Sequence, residues 1–265
     1  MTRLSWSLLF AVAVVLGGGG ASGADELHAR GESEPESAPK AVFQVTPYAW
    51  ASGLAGDVSP FRRVPTVRVE KAFADIFEQL EVAGFVNLYG RYGRWVLSAD
   101  VMYVNLTDSE TFGPLPYIGA TDARFNTAQF SATLAGGYRA VDTGRFTFDV
   151  LGGFRHWHLW NKLEVSAAGR QFTVKSDYGW TDPLVGARAH VHLTDAFSVL
   201  AQGDIGGFGV GADSTWQLLV TANYKMSERL ALSVGYKALS VDYDADGHVF
   251  QSTLSGPVAG LTLRF

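Results

Sequence analysis

The chain has 265 residues and a formal net charge of -5, which gives no electrostatic basis for binding nucleic acid. It contains no cysteine, which excludes disulfides, cysteine-bound metal or iron–sulfur centres and a lipid-modified cysteine anchor. Apolar residues make up 47% of the chain, yet no internal stretch approaches the ~18 consecutive apolar residues of a transmembrane helix.

The N-terminus has the parts of a secretory signal peptide. Arg3 supplies a positive charge, Leu8–Leu16 is a short apolar core, and the small residues that follow suit a cleavage site. The sequence therefore predicts a signal peptide over residues 1–24, too short to remain as an anchor. Residues 25–41 are rich in acidic side chains and poor in apolar ones, which predicts a disordered periplasmic tail.

From residue 42 onward, apolar and polar residues alternate with a period of two. Most alternating segments are longer than the about five to six residues of a soluble strand and reach the ~9–11 of a tilted membrane strand. The pattern predicts one all-β transmembrane barrel over 42–265, with about ten antiparallel strands and with eight or twelve left open. The expected strands are Val42–Ala51, Ala83–Tyr92, Trp95–Asn105, Asn126–Val141, Arg145–Trp160, Trp180–Leu193, Phe197–Phe208, Asp213–Met226, Leu230–Tyr243 and Phe250–Phe265.

The two faces of the predicted strands differ in polarity. In Trp216–Met226, for example, one face is apolar and the other carries Gln, Thr, Asn and Lys. A soluble barrel needs a charged outer surface, which these strands lack, so lipid outside and a polar lumen fit the pattern better. Aromatic residues collect at both strand ends, as in interfacial girdles, with Trp95 and Phe197 on the turn side and Trp180 and Tyr243 on the loop side.

The connections between strands alternate in length. Tight turns such as Thr194–Ala196 alternate with long connections at Ser52–Val82, Leu106–Phe125 and Asn161–Gly179, as expected of periplasmic turns and external loops. Within the first long connection, Val69–Leu80 has large apolar residues at helical spacing. We expect a short helix that packs over or into the external mouth. The alternative, a helix on the membrane surface, is opposed by its acidic polar face.

Several motifs narrow the class of barrel. They are TPYAW at Thr46–Trp50, DPLVGAR at Asp182–Arg188, GDIGGFGVGADSTWQ at Gly203–Gln217, GYKALSVDY at Gly235–Tyr243 and GPVAGLTLRF at Gly256–Phe265. With them, the chain resembles a group of Gram-negative outer-membrane barrel proteins, loosely grouped with the opacity-type barrels, for which no activity is established. The resemblance implies no catalytic residues. It implies that the terminal Phe265, after the alternating Leu261 and Leu263, is a signal for the barrel assembly machinery.

Strand parity directs ten charged residues into the lumen. They are Arg91, Asp100, Arg139, Asp149, Arg155, Arg188, Asp204, Lys225, Lys237 and Arg264. Buried charges must be paired or hydrated, so we expect a network. Register predicts an Arg139–Asp149 pair, with Thr147 opposite Arg139, and an Arg188–Asp204 pair. A salt-bridged plug and a narrow passage that favours anions both fit the excess of cations, and the strand number predicts a closed or very narrow lumen.

Two further patterns are weighed as possible sites. Gly206–Gly211 is glycine-rich, but a strand rather than a helix follows it, which predicts a hairpin turn instead of a phosphate-binding loop. The pairs His156–His158 and His190–His192 are expected at opposite ends of the barrel, where they do not form one site. We therefore expect no metal and no cofactor.

The expected function is that of a structural or interaction-type barrel in the cell outer membrane, with no catalysis of its own. It would be a narrow small-solute passage at most, surrounded by lipid and lipopolysaccharide, and monomeric. The alternative is a surface hydrolase acting on lipopolysaccharide, phospholipid or peptide. Such an enzyme needs an acid–base or nucleophile cluster at the rim, where His158, Asp177 and Asp182 are the candidates.

Overall fold

The computed structural model describes residues 41–62, 65–115, 119–167 and 170–265. The predicted signal peptide over 1–24 lies outside these residues, as does the predicted acidic tail up to residue 40. Ala41, the last residue assigned to that tail, is instead the first residue of a strand. In the described part of the chain, no helix is long and apolar enough to cross a membrane.

All the predicted strands are present within the described chain, most of them with shifted ends. In chain order, the elements are β1 Ala41–Trp50, β2 Gly53–Ser59, β3 Val67–Lys71, α1 Phe73–Glu78, β4 Leu80–Tyr92, β5 Trp95–Leu115, β6 Gly119–Asp142, β7 Phe146–Ala167, β8 Arg170–His192, β9 Phe197–Gly207, β10 Ser214–Lys225, β11 Leu230–Ala245 and β12 His248–Arg264.

The sheet closes on itself as an antiparallel barrel. Of its 12 strands, β1 and β4 to β12 form the ring, each paired with its neighbours in chain order, and β12 closes on β1 with Gln44 opposite Arg264. The other two strands lie outside the ring: β2 continues along β12 beyond the end of β1, and β3 pairs back onto β2. The predicted ten-strand barrel is therefore confirmed, with an additional hairpin inside the first long connection.

Alternate residues of each strand face outward and form an apolar band. On β11, Leu232, Val234 and Tyr236 are exposed, whereas Ser233 and Lys237, at positions of the opposite parity, are buried in the lumen. Water would require a polar surface at these positions, so exposed aliphatic and aromatic side chains over a continuous band identify the lipid-facing surface.

The outer edge of this band is marked by a change in the outward side chains. On β7, the exposed Trp160 is followed at the next outward positions by Lys162 and Glu164, whose Nζ and Oε1 atoms are 2.7 Å apart. On β5, Tyr103 is followed by Asn105. The strands therefore continue beyond the lipid into the external medium.

Two of the connections predicted as external loops are instead parts of long β-hairpins. Leu106–Phe125 and Asn161–Gly179, expected as external loops, instead extend the β5–β6 and β7–β8 ladders. Asn126 donates a hydrogen bond from Nδ2 to Thr107 Oγ1 at 2.8 Å across one of these ladders. Above the lipid edge, the outward side chains become polar, so the alternation of apolar and polar residues weakens and the sequence pattern predicts a loop. The strands nevertheless continue, because the backbone hydrogen bonds of the ladder do not depend on that alternation.

The helix of the first connection is shorter than predicted. It spans Phe73–Glu78 rather than Val69–Leu80, because Val67–Lys71 pairs with β2 and Leu80 already begins β4. The expected apolar stripe is nevertheless directed at the barrel, since Ile76 and its aromatic neighbours line a cavity in the wall.

Gly206–Gly211 forms the end of β9 and the turn into β10, as predicted. Gly207 has φ +87°, and a Cβ at this residue would lie 2.8 Å from the carbonyl oxygen of Ala212. Both the backbone conformation and the close approach require glycine there.

Candidate functional site

Asp149 is the centre of an ion-pair cluster in the periplasmic half of the lumen. Arg139 donates from Nε to Asp149 Oδ1 at 2.7 Å, and Tyr89 donates from its hydroxyl to Oδ2 at 3.1 Å. The predicted Arg139–Asp149 pair is thus present. Its register differs from the expectation, because a bulge between Arg139 and Val141 places Asp149, rather than Thr147, directly opposite Arg139.

The predicted Arg188–Asp204 pair is wrong. Arg188 instead places Nη1 3.8 Å from Asp149 Oδ2 and its guanidinium 3.8 Å from the centroid of the Tyr89 ring. Asp204 is taken by Arg155, which donates from Nη2 to both carboxylate oxygens at 2.8 and 3.0 Å. Arg155 lies on β7 and Asp204 on β9, so this pair crosses the lumen past β8 and follows from barrel closure rather than from strand register.

A third pair joins strands that are far apart in the chain. Lys237 donates from Nζ to Asp100 Oδ1 at 2.9 Å and to the Tyr48 hydroxyl at 2.8 Å. Tyr48 in turn donates to both oxygens of Asp100 at 3.1 Å. Lys237 is 2% exposed, so this charge is satisfied within the protein.

These residues together make a polar plug across the middle of the barrel. We use that name for the charged residues Asp100, Arg139, Asp149, Arg155, Arg188, Asp204 and Lys237. Each carboxylate of the plug is bound by a cation, as buried charges require, and Asp100 and Asp149 also accept hydrogen bonds from tyrosine hydroxyls.

The remaining predicted lumen cations lie at the periplasmic end and take no part in the plug. Arg91 donates from Nη1 to the carbonyl oxygen of Gly93 at 2.8 Å and so stabilises its own turn. Lys225 lies 2.6 Å from Glu228 and lowers the pKa of that exposed carboxyl group in the turn. Arg264 points into the lumen below the plug.

A small polar cavity lies below the plug, with a volume of about 80 Å³. Arg188, Lys237, Arg264 and His190 line it, together with threonine, asparagine and glutamine side chains. None of its described lining residues is acidic. Two of its cations are already paired in the plug, Arg188 with Asp149 and Lys237 with Asp100, and Arg264 adds a further positive charge.

The external half of the lumen is apolar and aromatic. Trp180 stacks on Tyr243 with ring centroids 3.9 Å apart, and Trp157 stacks on Trp180 at 5.9 Å. Trp180 and Tyr243 were expected in the lipid-facing girdle, but they are 7% and 5% exposed and face inward. Strand parity explains the inward direction of Trp180. It lies opposite Trp157, and Trp157 is two residues along β7 from the inward-facing Arg155.

An apolar cavity, here called the apolar pocket, has a volume of about 280 Å³. Its lining comes from β1, β2, α1, β4, β5, β6 and β12, and none of the described lining residues is charged. Its principal side chains are those of Trp50, Phe73, Ile76, Phe77, Phe85, Met102, Val104 and Leu254. The apolar stripe of α1 is predicted from the sequence, but the pocket is not, because the pocket needs strands from both ends of the chain.

A second cavity of about 260 Å³ lies closer to the external mouth. Leu159 and Phe250 line its apolar side, and Lys71 and Asp108, 2.8 Å apart, line its polar side. This cavity shares Leu54, Leu106 and Gln129 with the apolar pocket, so a path from external water on this side passes one ion pair and an otherwise largely apolar lining.

The residues of the hydrolase alternative do not converge. His158 and Asp177 are on outward positions of β7 and β8, whereas Asp182 faces inward and is 0% exposed. Asp182 accepts hydrogen bonds from Trp180 Nε1 at 2.9 Å and from the Ala212 backbone N–H at 2.7 Å, which fixes the β9–β10 turn.

The histidine pairs are also on different surfaces. His156 and His158 are on the outward face of β7, and His190 and His192 are inside the periplasmic end with ring centroids 4.4 Å apart. Among the described residues, no group of three or more potential metal ligands is found.

No family model matches the sequence, and comparison with curated proteins finds no similar sequence. Among solved structures, the chain is similar to the outer membrane protease OmpT from Escherichia coli, with 10% identity, a TM-score of 0.50 and coverage of 86% of this chain and 97% of that chain. It is also similar to the translocator domain of autotransporter NalP from Neisseria meningitidis, with 12% identity, a TM-score of 0.45 and coverage of 85% and 88%. At these identities the likeness shows the fold alone.

The closed antiparallel ring and its lipid-facing apolar band define an integral outer-membrane β-barrel protein, located in the cell outer membrane. The resemblance to Gram-negative outer-membrane barrels is therefore confirmed at the level of the fold. Within that class, this chain is a barrel with a polar plug below and an apolar pocket above.

Proposed function

We propose that this protein is a non-catalytic binding barrel that holds a small, uncharged, apolar molecule in its external half. The observation that carries the proposal is the apolar pocket of about 280 Å³, whose described lining contains no charged residue. The ion pairs of the polar plug lie beneath it, which supports a pocket that ends inside the barrel instead of continuing as an open pore.

The size and chemistry of the pocket limit its ligand. A cavity of about 150 Å³ lined by aliphatic and aromatic groups stays dry and binds benzene, so a pocket of about 280 Å³ suits a molecule of roughly two fused rings. Polar groups are few: Gln129, Ser52 and Tyr48 line it, and the Tyr48 hydroxyl is already bonded to Asp100 and Lys237. A charged ligand would be desolvated there without a partner, which is strongly unfavourable.

The test is binding of naphthalene, compared with the charged analogue 2-naphthoate, to the purified barrel in lipid nanodiscs. We expect saturable binding of naphthalene beyond partitioning into empty nanodiscs, and none of 2-naphthoate at the pocket. Met102→Trp should fill the pocket and weaken naphthalene binding at least about tenfold. Val101→Trp, on the neighbouring outward position, is the matched control and should not. Equal retention by barrel and empty nanodiscs would contradict the proposal.

A narrow, anion-favouring passage is the second candidate. The cavity of about 80 Å³ below the plug supports it, because arginine and lysine side chains line that cavity and no described lining residue is acidic. In planar-bilayer recordings we expect only small steps, with chloride favoured over potassium. Large, stable, unselective steps would refute a closed lumen.

The hydrolase alternative has a direct test of its own. We expect alanine substitution of His158 or Asp182 to leave lipid A mass spectra and peptide cleavage unchanged. Either activity in the unsubstituted barrel, lost on one of these substitutions, would favour an enzyme. The proposed partners are membrane lipid, lipopolysaccharide and the barrel assembly machinery, and the proposed state is a monomer.

A further inference from the structure

The barrel wall is incomplete between β1 and β4. The periplasmic part of β1 pairs with β4, and this ladder ends at Pro47, which lies opposite Val86. Further toward the external side, β2 pairs with β3, and that ladder begins at Leu54, which lies opposite Lys71. Between these two ladders, residues Tyr48–Ser52 bond to β12 on one side, and the described chain supplies no ladder partner on the other. At ~3.3 Å per residue, the unpaired length is about 16 Å.

The β1–β4 ladder ends at Pro47, which lies opposite Val86. The missing N–H of Pro47 does not explain this end, because residues of the same parity, such as Phe43 and Ala51, bond on the β12 side and not to β4. On the other side, α1 stands where a continuous return strand would run, and β4 begins with an irregularity between Leu80 and Val82. Residues Ala83–Phe85 then pair with β5 alone. We call the gap between Tyr48–Ser52 and Ala83–Phe85 the window.

The window lies at the outer edge of the lipid-facing band. Its β4 side includes Gly84, which is opposite Tyr103, the last outward aromatic residue before Asn105. Its β1 side includes Ala49, which is opposite Ala259, whose partner on β11 is the exposed Val234. Lipid rather than water therefore faces this gap.

The apolar pocket passes through the window. The outward Ala49 and the inward Trp50 both line it, so the pocket reaches from the outer surface of the wall into the lumen. The outward residues at the edges, Ala49 and Gly84, are small, and a Cβ placed on Gly84 would meet no heavy atom within 4 Å. On the lumen side, Phe85 packs on Tyr48 and Trp50, with ring centroids 5.3 and 6.2 Å apart. Phe73 and Phe77 of α1 line the same pocket and are 41% and 62% exposed.

We propose that the window is a lateral entrance through which an uncharged apolar molecule dissolved in the outer leaflet reaches the apolar pocket. The proposal rests on the binding function proposed above and adds the source of the ligand. Apolar molecules concentrate in lipid rather than in water, and the window opens toward lipid. A route from the external mouth passes the Lys71–Asp108 ion pair and an otherwise largely apolar lining, so the labelling experiment has to separate the two routes.

The absence of cysteine from the chain allows a clean test. Met102→Cys places one thiol in the pocket, and Leu254→Cys on β12 is a second reporter in case the first does not fold. The full barrel in lipid vesicles is treated with N-phenylmaleimide dissolved in the bilayer, and the rate of thiol addition is followed by mass spectrometry. Ala49→Trp covers the window, and Ala259→Trp, directly opposite on β12, is the matched control.

We expect Ala49→Trp to slow labelling at least about tenfold and Ala259→Trp to leave it within about twofold. Because Ala49 also lines the pocket, Gly84→Trp is the second covering variant: Gly84 borders the window without lining the pocket, so this variant should slow labelling equally and retain naphthalene affinity at equilibrium. Unchanged labelling in Gly84→Trp, with naphthalene binding intact, would overturn the lateral entrance and leave the binding function standing. Absence of labelling at both reporters, together with absence of naphthalene binding, would overturn the binding function itself.

Discussion

Asp149 is the residue whose loss should destabilise the barrel most clearly. It is 1% exposed, and its carboxylate faces Arg139 at 2.7 Å and Arg188 at 3.8 Å. Asp149→Asn keeps the size of the side chain but removes its charge. Two buried guanidinium groups would then share one region of the lumen without a carboxylate between them.

The expected cost is about 3–5 kcal/mol in the free energy of unfolding, the usual result of removing one partner from a buried ion pair. Asp142 gives a matched control on the same arginine. Its carboxylate is 3.5 Å from Arg139 but its side chain is 42% exposed, so Asp142→Asn should cost no more than about 1 kcal/mol. Burial, rather than the presence of an ion pair, separates the two predictions.

The measurement is reversible urea unfolding of the barrel from lipid vesicles, followed by tryptophan fluorescence, for both variants and the unsubstituted chain. If Asp149→Asn and Asp142→Asn differed by less than about 1 kcal/mol, the plug would not be the buried, unhydrated network inferred from its burial. The reasoning on a closed lumen would then fail with it.

Two further predictions concern the ends of the barrel. Burial beside Arg62 lowers the pKa of His248 at the external β11–β12 turn. The folded rim is therefore stable with a neutral ring above the unfolded pKa of about 6.5. This stability is lost as the pH falls below that value, because the unfolded chain then binds the proton more readily than the folded one. The protection factors of the amides of residues 245–250, which correct for the slower intrinsic exchange at low pH, should therefore fall from pH 7 to pH 5. His248→Phe, which keeps the stack on Tyr178, should remove that dependence. Deletion of Phe265 should lower the yield of assembled barrel in the outer membrane, whereas Phe265→Tyr should not; equal yields would contradict the role of the terminal aromatic residue.

The class of fold and the inward or outward direction of most strand residues are determined by the sequence. A period of two assigns each side chain to one face, and this local rule holds whatever the strand pairs with. It placed Arg139 and Asp149 in the lumen and on adjacent strands, where a tight turn leaves little freedom of register. It also gave the strand number, because strands long enough to cross a membrane are visible as segments.

Only the tertiary structure decided which charges meet and where the wall is open. Arg155 and Asp204 are separated by a whole strand in the ring, so their contact depends on the curvature of the closed barrel and not on any spacing in the sequence. The window has the same origin: Pro47 marks the end of a ladder, but the gap exists because β2 follows β12 while α1 leaves the wall. Pairing across a closed ring is a property of all its strands together, and local periodicity carries no information about it.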